Sequence, residues 1–200
     1  MAVSWAMGDL YGYKARYAVE SWQEEPSLPD LIVIDEAIAD ADRALSWESE
    51  NPEYHELKAR ALYYKALVKG VDDLGKAYLV SAKQSHDSAA QLRPQWPYTW
   101  ANMALMKAYL AEFDDEFHQA LLNAVQYGPW ERSVHLTIAH IGAMSWTSLS
   151  AEQKSIIAAN VSRGLKHNYK GIAFNLDAYK RRNLICAYMH RDENQQRFCR

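Results

Sequence analysis

Apolar side chains recur every three or four residues along nearly the whole chain, which is the spacing of an α-helix with one buried face. The clearest example follows Asp30, where the periodic positions are Leu31, Ile34, Ile38, Ala41 and Leu45. No segment shows a convincing alternation of apolar and polar residues of the kind that a half-buried strand has. The pattern therefore predicts an all-α protein.

Turn and capping residues divide this pattern into at least eight helices. The predicted helix starts carry side chains that favour helix N-termini: Asp30, Asn51, Asp72 or Asp73, Asp114 and Ser150. The first helix is predicted over 3–23, the fifth over 98–112, the seventh over 131–145 and the eighth from Ser150 to Gly164. Residues 169–200 are predicted to form one or two further helices.

Two segments repeat each other at a fixed interval. Ala89 stands five residues before Pro94, and Ala124 stands five residues before Pro129, at an offset of 35 residues. A weaker echo, Ala159 with Gly164, follows after another 35 residues. Intervals near 34 are typical of tetratricopeptide helix pairs, which bury their apolar faces by stacking on neighbours. We therefore expect Ala89 and Ala124 to be buried where paired helices approach closely.

The predicted architecture is a tetratricopeptide-like array of antiparallel helix pairs with a C-terminal capping helix. Residues 1–30 form an N-terminal helix, residues 31–168 the repeats and residues 169–200 a basic helical cap. The apolar start is interpreted either as the beginning of that helix or as the remainder of a membrane-anchored segment. No apolar run reaches the roughly 18 residues that a membrane span needs, so membrane association is expected only through a segment absent from this chain.

Charge is distributed unevenly along the chain. The formal net charge is -3, yet residues 161–200 carry nine basic and three acidic side chains. The overall balance argues against a nucleic-acid partner. The basic run Lys180, Arg181 and Arg182 is interpreted either as a solvated helical face or as a surface for an anionic glycan, a lipid head group or an acidic protein.

Helix geometry also indicates a candidate binding groove. In tetratricopeptide-like stacks the first helix of each pair lines the concave side, and the third, fifth and seventh helices would take that position here. The side chains predicted to face the groove are His55, Tyr63, Asn102, Tyr109 and His140. Polar groups beside aromatic rings could hold a peptide or a sugar. The alternative is that these side chains simply face solvent or pack between helices.

Motifs of catalysis are missing from the sequence. It contains no Gly-rich phosphate loop, no G-x-S-x-G elbow and no H-E-x-x-H metal pair. We therefore expect no enzymatic activity, no cofactor and no metal. Cys186 and Cys199 leave three alternatives open: a disulfide, two free thiols, or a partial zinc site with His190.

The segments 93–107, 120–124 and 128–131 together resemble a known family. They are similar to VpsP-type exopolysaccharide-biosynthesis accessory proteins and to the helical-repeat tails of some bacterial O-antigen ligases and polymerases. The resemblance covers roughly residues 37–200, and the pair Cys186 and Cys199 fits it. It implies a bacterial envelope protein with an N-terminal membrane anchor and a helical domain in the periplasm. It supplies no catalytic residues.

These observations predict a non-catalytic scaffold or docking domain that binds protein components of an exopolysaccharide assembly machine. A direct glycan-binding or lipid-linked-sugar-binding module is the first alternative, and an enzyme of glycan transfer is the second. A cytosolic peptide-binding repeat protein is the third, and it would require both cysteines to be reduced.

Overall fold

Helices form all the regular secondary structure in the computed structural model, which describes residues 2–25, 27–70 and 72–200. Those ranges contain ten α-helices, one short 3-10 helix and no strand, so the prediction of an all-α fold is confirmed. The α-helices are α1 (Ala2–Glu24), α2 (Leu31–Trp47), α3 (Pro52–Lys69), α4 (Asp73–Leu92), α5 (Pro97–Tyr109), α6 (Asp115–Tyr127), α7 (Arg132–Ser145), α8 (Ala151–Ala178), α9 (Arg182–Cys186) and α10 (Glu193–Phe198). The 3-10 helix spans Trp146–Ser148.

Packing divides the chain into two units, residues 1–94 and residues 95–200. In unit 1, α1 packs on α2 and α3 packs on α4, while α3 also contacts α1 and α2. Short loops join these helices, so successive helices run in opposite directions. Small side chains line the contacts, with Ala37, Ala41 and Ala44 buried on α2, which lets the helix axes approach closely.

Unit 2 repeats this arrangement with α5 on α6 and α7 on α8. The first helices of the two pairs, α5 and α7, also contact each other, and the short helices α9 and α10 pack on α8. Most of α5 is buried, including Met103, Leu105 and Met106, as its nearly uniform apolar composition leads one to expect.

Four of the five predicted caps form hydrogen bonds to the first turn of their helices. Asn51, Asp72 and Asp114 accept backbone N–H groups at 3.0–3.1 Å. Ser150 and Gln153 form a reciprocal capping box at the start of α8. Asp30 occupies the N-cap position of α2, but its side chain makes no capping hydrogen bond.

Gly164 lies inside α8 rather than at its end, because the first of the two helical segments that make up α8 runs on to a break at Asn168 and the second continues to Ala178. The predicted end is therefore about four residues too early. Gly164 is buried inside the helix, where an added Cβ would lie 2.7 Å from Ile172 Cδ1 and 2.8 Å from His135 Cβ. This glycine therefore permits close helix contact rather than ending the helix. A kink at Asn168 (φ −148°, ψ 52°) bends α8 at the position where the cap was predicted to begin.

Two helices end in a left-handed residue that is not glycine. Ala111 follows α5 with φ 59°, and Lys180 follows α8 with φ 54°. In each case the next N–H bonds back to the last turn, from Glu112 to Lys107 and from Arg181 to Leu176, at 2.9 and 2.8 Å. This is the Schellman hydrogen-bond pattern. It ends α5 at Tyr109, three residues before the predicted end.

The alanines of the sequence echo differ in burial. Ala89 and Ala124 are completely buried, which confirms the prediction made for them. Ala159 is exposed, whereas the preceding Ala158 is buried. In the third repeat, the buried alanine is therefore one residue earlier than the spacing of 35 residues predicts.

We expect Ala89→Leu and Ala124→Leu each to lower the free energy of unfolding by about 1–3 kcal/mol, because three extra carbons would overpack a filled helix contact. Ala159→Leu is the matched control: the same change at an exposed position should alter stability by no more than about 0.5 kcal/mol. Urea unfolding of the three variants and the wild type measures this. Equal stability of all four proteins would contradict the assignment of close helix contacts.

Candidate functional site

The predicted groove residues of unit 1 both lie on α3. His55 Nε2 donates a hydrogen bond to the backbone oxygen of Ser49 at 2.9 Å. Tyr63 is half-buried, and its ring centroid is 6.0 Å from that of Tyr64. His55 thus braces the loop before α3, and Tyr63 belongs to an aromatic pair on that helix.

In unit 2 the structure brings together Tyr109 of α5 and His140 of α7. The Tyr109 hydroxyl oxygen lies 3.3 Å from His140 Nε2. The ring of Tyr179, at the end of α8, packs edge-on against His140 with centroids 5.7 Å apart. We call Tyr109, His140 and Tyr179 the aromatic–histidine cluster. Asn102, also predicted to face the groove, is half-buried on α5 two turns before Tyr109.

The environment of His140 keeps its imidazole ring uncharged. Burial lowers the pKa of this imidazole below its usual value of 6.5, so the ring is neutral at neutral pH. A neutral imidazole has one N–H donor and one acceptor nitrogen. Together with two tyrosine hydroxyls, it gives the cluster polar groups set on aromatic surfaces.

The basic run predicted as an anionic-partner surface divides into different roles. Arg182 pairs with the Asp177 carboxylate, and its guanidinium lies over the Phe198 ring at 4.7 Å. Arg181 is half-buried, whereas Lys180 is exposed and follows Tyr179 directly. Arg182 therefore stabilises the C-terminal fold, and Lys180 is the exposed cation of the run.

The structure joins Cys186 of α9 to Cys199, directly after α10, in a disulfide with Cα atoms 5.9 Å apart. Phe198, the neighbour of Cys199, is completely buried. The disulfide and this aromatic anchor hold α10 against α8 and α9. Within the described residues, no group of three or more His, Cys, Asp and Glu side chains is placed to hold a metal ion.

A cleft of about 510 Å³ in unit 2 was not predicted from the sequence. Its lining residues are Leu165, Lys166, Tyr169 and Arg197. Lys166 and Arg197 were recognisable as part of the basic C-terminal segment, but their meeting in one cleft depends on the kink at Asn168 and on the position of α10. Neither feature leaves a local signal in the sequence.

Unit 1 contains a second cleft of about 550 Å³. Its walls are two tryptophans, Trp5 and Trp47, and the loop that joins α2 to α3, which carries Glu48 and Glu50. The cleft is therefore acidic and aromatic, in contrast to the basic cleft of unit 2.

His135 is a structural histidine, unlike His140. It is completely buried, and its Nδ1 donates to the Asn160 side-chain oxygen at 2.9 Å. Burial lowers the pKa of His135, and the hydrogen bond to Asn160 opposes this shift. This bond connects α7 to α8 and fixes the orientation of the helix that carries His140.

In the part of the chain that is described, no helix is both long enough and apolar enough to cross a bilayer. Comparison with protein-family models, with curated proteins and with solved structures finds no match to this chain.

Proposed function

We propose that this chain is a non-catalytic docking domain of a bacterial exopolysaccharide assembly system, and that it binds protein components of that system outside the cytoplasm. The observation that carries the docking role is the aromatic–histidine cluster, in which side chains of α5 and α7, the first helices of the two packed pairs of unit 2, meet Tyr179 at the end of α8. The link to polysaccharide assembly rests on the resemblance of segments 93–107, 120–124 and 128–131 to VpsP-type accessory proteins.

The cluster has the chemistry of a recognition surface. Tyrosines supply large apolar contact areas with one polar group, a combination that is common at protein interfaces. The three side chains come from α5, α7 and the end of α8, so packed helices rather than flexible loops position them. A rigid surface loses less conformational entropy on binding. These properties support docking of a protein partner.

The disulfide supports a location outside the cytoplasm. Disulfides persist in oxidising compartments such as the periplasm and are rare in the cytosol. The bond between Cys186 and Cys199 therefore favours the periplasmic proposal over a cytosolic peptide-binding role.

The docking proposal is tested in the bacterium that encodes the chain. Deletion of the gene should lower the amount of exported polysaccharide, and the wild-type gene should restore it. Tyr109→Ala should fail to restore it although the protein accumulates normally on an immunoblot. Tyr127→Ala is the matched control, since Tyr127 is an exposed tyrosine of α6, the second helix of its pair. Unchanged polysaccharide in the deletion strain would contradict the proposal.

Direct binding of an anionic glycan is the second candidate function. It is favoured by the excess of basic residues in 161–200 and by the exposed Lys180 beside the aromatic–histidine cluster. Attraction between exposed charges decays over about 10 Å at 0.1 M salt and about 3 Å at 1 M salt.

We therefore expect binding to an acidic polysaccharide to weaken as salt rises from 0.1 to 1 M. Lys180→Gly should weaken binding at low salt without loss of stability, because glycine tolerates the left-handed backbone at this position. Arg182 is unsuitable for this test since it pairs with Asp177. A titration at two ionic strengths measures both effects. If neither salt nor Lys180→Gly changes the affinity, the basic segment is only a solvated helical face.

A further inference from the structure

We propose that the cleft between α8 and α10 in unit 2 binds a small anionic ligand, a carboxylate or phosphate carried on a sugar-sized ring. We propose further that the Cys186–Cys199 disulfide keeps this site assembled. The site is separate from the aromatic–histidine cluster and goes beyond the docking role, which depends on that cluster.

The lining residues supply the chemistry for an anion. Two of the four, Lys166 and Arg197, are cationic, and none of the four is acidic. Ion pairs elsewhere in the described chain include Arg182 with Asp177 and Lys107 with three carboxylates; none within the described residues involves Lys166 or Arg197. An arginine fork and a lysine ammonium together suit the oxygens of a carboxylate or phosphate.

The other two lining residues favour a ligand that is larger than a bare ion. Leu165 is 6% exposed and gives the cleft an apolar wall. Tyr169 is 40% exposed, so part of its ring is open to pack against the C–H face of a sugar. The volume of about 510 Å³ lies within the range of roughly 300–1,000 Å³ that is typical of small-molecule sites.

Two structural features assemble the cleft. The kink at Asn168 lies between Lys166 and Tyr169 and turns the second half of α8 relative to the first. Arg197 is placed by the two residues that follow it. Phe198 is buried with its ring edge-on to Tyr169 at 5.5 Å, and Cys199 is bonded to Cys186.

Helix α10 has only six residues, which is too short to be stable without tertiary contacts. Its position therefore depends on Phe198 and on the disulfide. Reduction of the disulfide should release α10 and take Arg197 away from Lys166. The same bond that supports an extracytoplasmic location would then make ligand binding sensitive to redox conditions.

Calorimetric titration of the oxidised chain with three probes tests the ligand class. The probes are glucuronate, glucose 6-phosphate and glucose, which share a ring and differ in charge. We expect at least one charged probe to bind about tenfold or more tightly than glucose, the size of effect that a charged hydrogen bond gives. The tighter of the two identifies carboxylate or phosphate as the preferred anion. Equal affinity for all three, or no binding of either charged probe, would overturn the proposal.

Single substitutions test whether the anion binds in this cleft. Lys166→Gln and Arg197→Gln should each weaken binding of the charged probe by about tenfold. Arg132→Gln is the matched control, because Arg132 is an exposed arginine of unit 2 that does not line the cleft. Unchanged affinity in both cleft variants, or an equal loss in the control, would place the anion elsewhere and refute this site.

The same titration after reduction tests the role of the disulfide. Binding should fall by about tenfold or more, while circular dichroism shows that most helical content is retained. The double variant Cys186→Ser, Cys199→Ser should behave like the reduced protein. Full affinity in both would refute the disulfide dependence. Failure of these titrations would not affect the docking proposal, whose readout is polysaccharide export with Tyr109→Ala.

Discussion

Lys107→Met is expected to lower the free energy of unfolding of unit 2 by about 2–4 kcal/mol at neutral pH. Lys107 is a buried lysine of α5, 2% exposed. Its Nζ lies 3.1 Å from Glu112, 3.0 Å from Asp114 and 2.7 Å from Glu116. Methionine keeps the apolar stem but leaves three carboxylates close together without their shared cation. Chemical unfolding of the whole chain, followed by helix content, measures the loss.

Electrostatics make this prediction dependent on pH. Burial would lower the pKa of Lys107, but hydrogen bonds to Glu116, Asp114 and Glu112 outweigh it and raise the pKa above its usual value. The Lys107 contribution is therefore complete below 10.5, the usual lysine pKa, and is lost only as the pH rises through the higher folded value. The pKa of Asp114 is lowered, first by the Phe117 backbone N–H and also by Lys107.

Because the Asp114 pKa is depressed, its contribution is complete above the ordinary value of 3.8 and is lost as the pH falls further. The stability difference between wild type and Lys107→Met should therefore shrink at acid pH. Lys170→Met is the matched control, since Lys170 is exposed in the same unit and should change stability by no more than about 0.5 kcal/mol. A loss no larger than that of the control would contradict the structural role of Lys107.

Removal of the disulfide by Cys186→Ser with Cys199→Ser is expected to destabilise the C-terminal end of unit 2 by about 3 kcal/mol. The bond links residues 13 apart in sequence and restricts the unfolded chain over that loop. The loss should be concentrated in α9 and α10, because helices of five and six residues are not stable without tertiary constraints. Limited proteolysis should cut the variant near residues 187–192 before it cuts the oxidised wild type.

Reducing conditions provide the control for this prediction. The wild type and the double variant should then have nearly the same stability and the same cleavage pattern. If the oxidised wild type and the variant resist proteolysis equally, the prediction is wrong and the buried Phe198 alone holds α10 in place.

The sequence was sufficient to predict the helices whose ends carry local signals. Periodic apolar residues predicted the helices, and Asn51, Asp72, Asp114 and Ser150 marked their starts because capping is a local interaction. Ala89 and Ala124 were predicted to be buried from spacing alone. The end of α5 was missed because Ala111, which has no glycine to mark it in the sequence, adopts the left-handed backbone that ends the helix.

In the candidate sites, too, the residues that meet only through tertiary packing could not be predicted from the sequence. Tyr109 and His140 were predicted from helix geometry, but Tyr179 was missed because residues 169–200 were predicted to form a separate cap and not to contribute to the groove. Gly164 has a tertiary role, since a side chain at this position would clash with His135 and Ile172, and nothing in the local sequence distinguishes this role from that of a helix end. The cleft of Lys166 and Arg197 required the kink and the disulfide, which are properties of the packed chain.

The proposal that the α5 and α7 face docks a polysaccharide-assembly protein is tested most directly by site-specific photocross-linking in the bacterium that encodes the chain. A photoreactive amino acid at Asn102, half-buried on α5, samples this face, and one at Tyr127 on α6 serves as the control. The account predicts that Asn102 cross-links to a protein required for exopolysaccharide assembly and that Tyr127 does not. Cross-linking of the same proteins from both positions, or of none required for polysaccharide export, would contradict it.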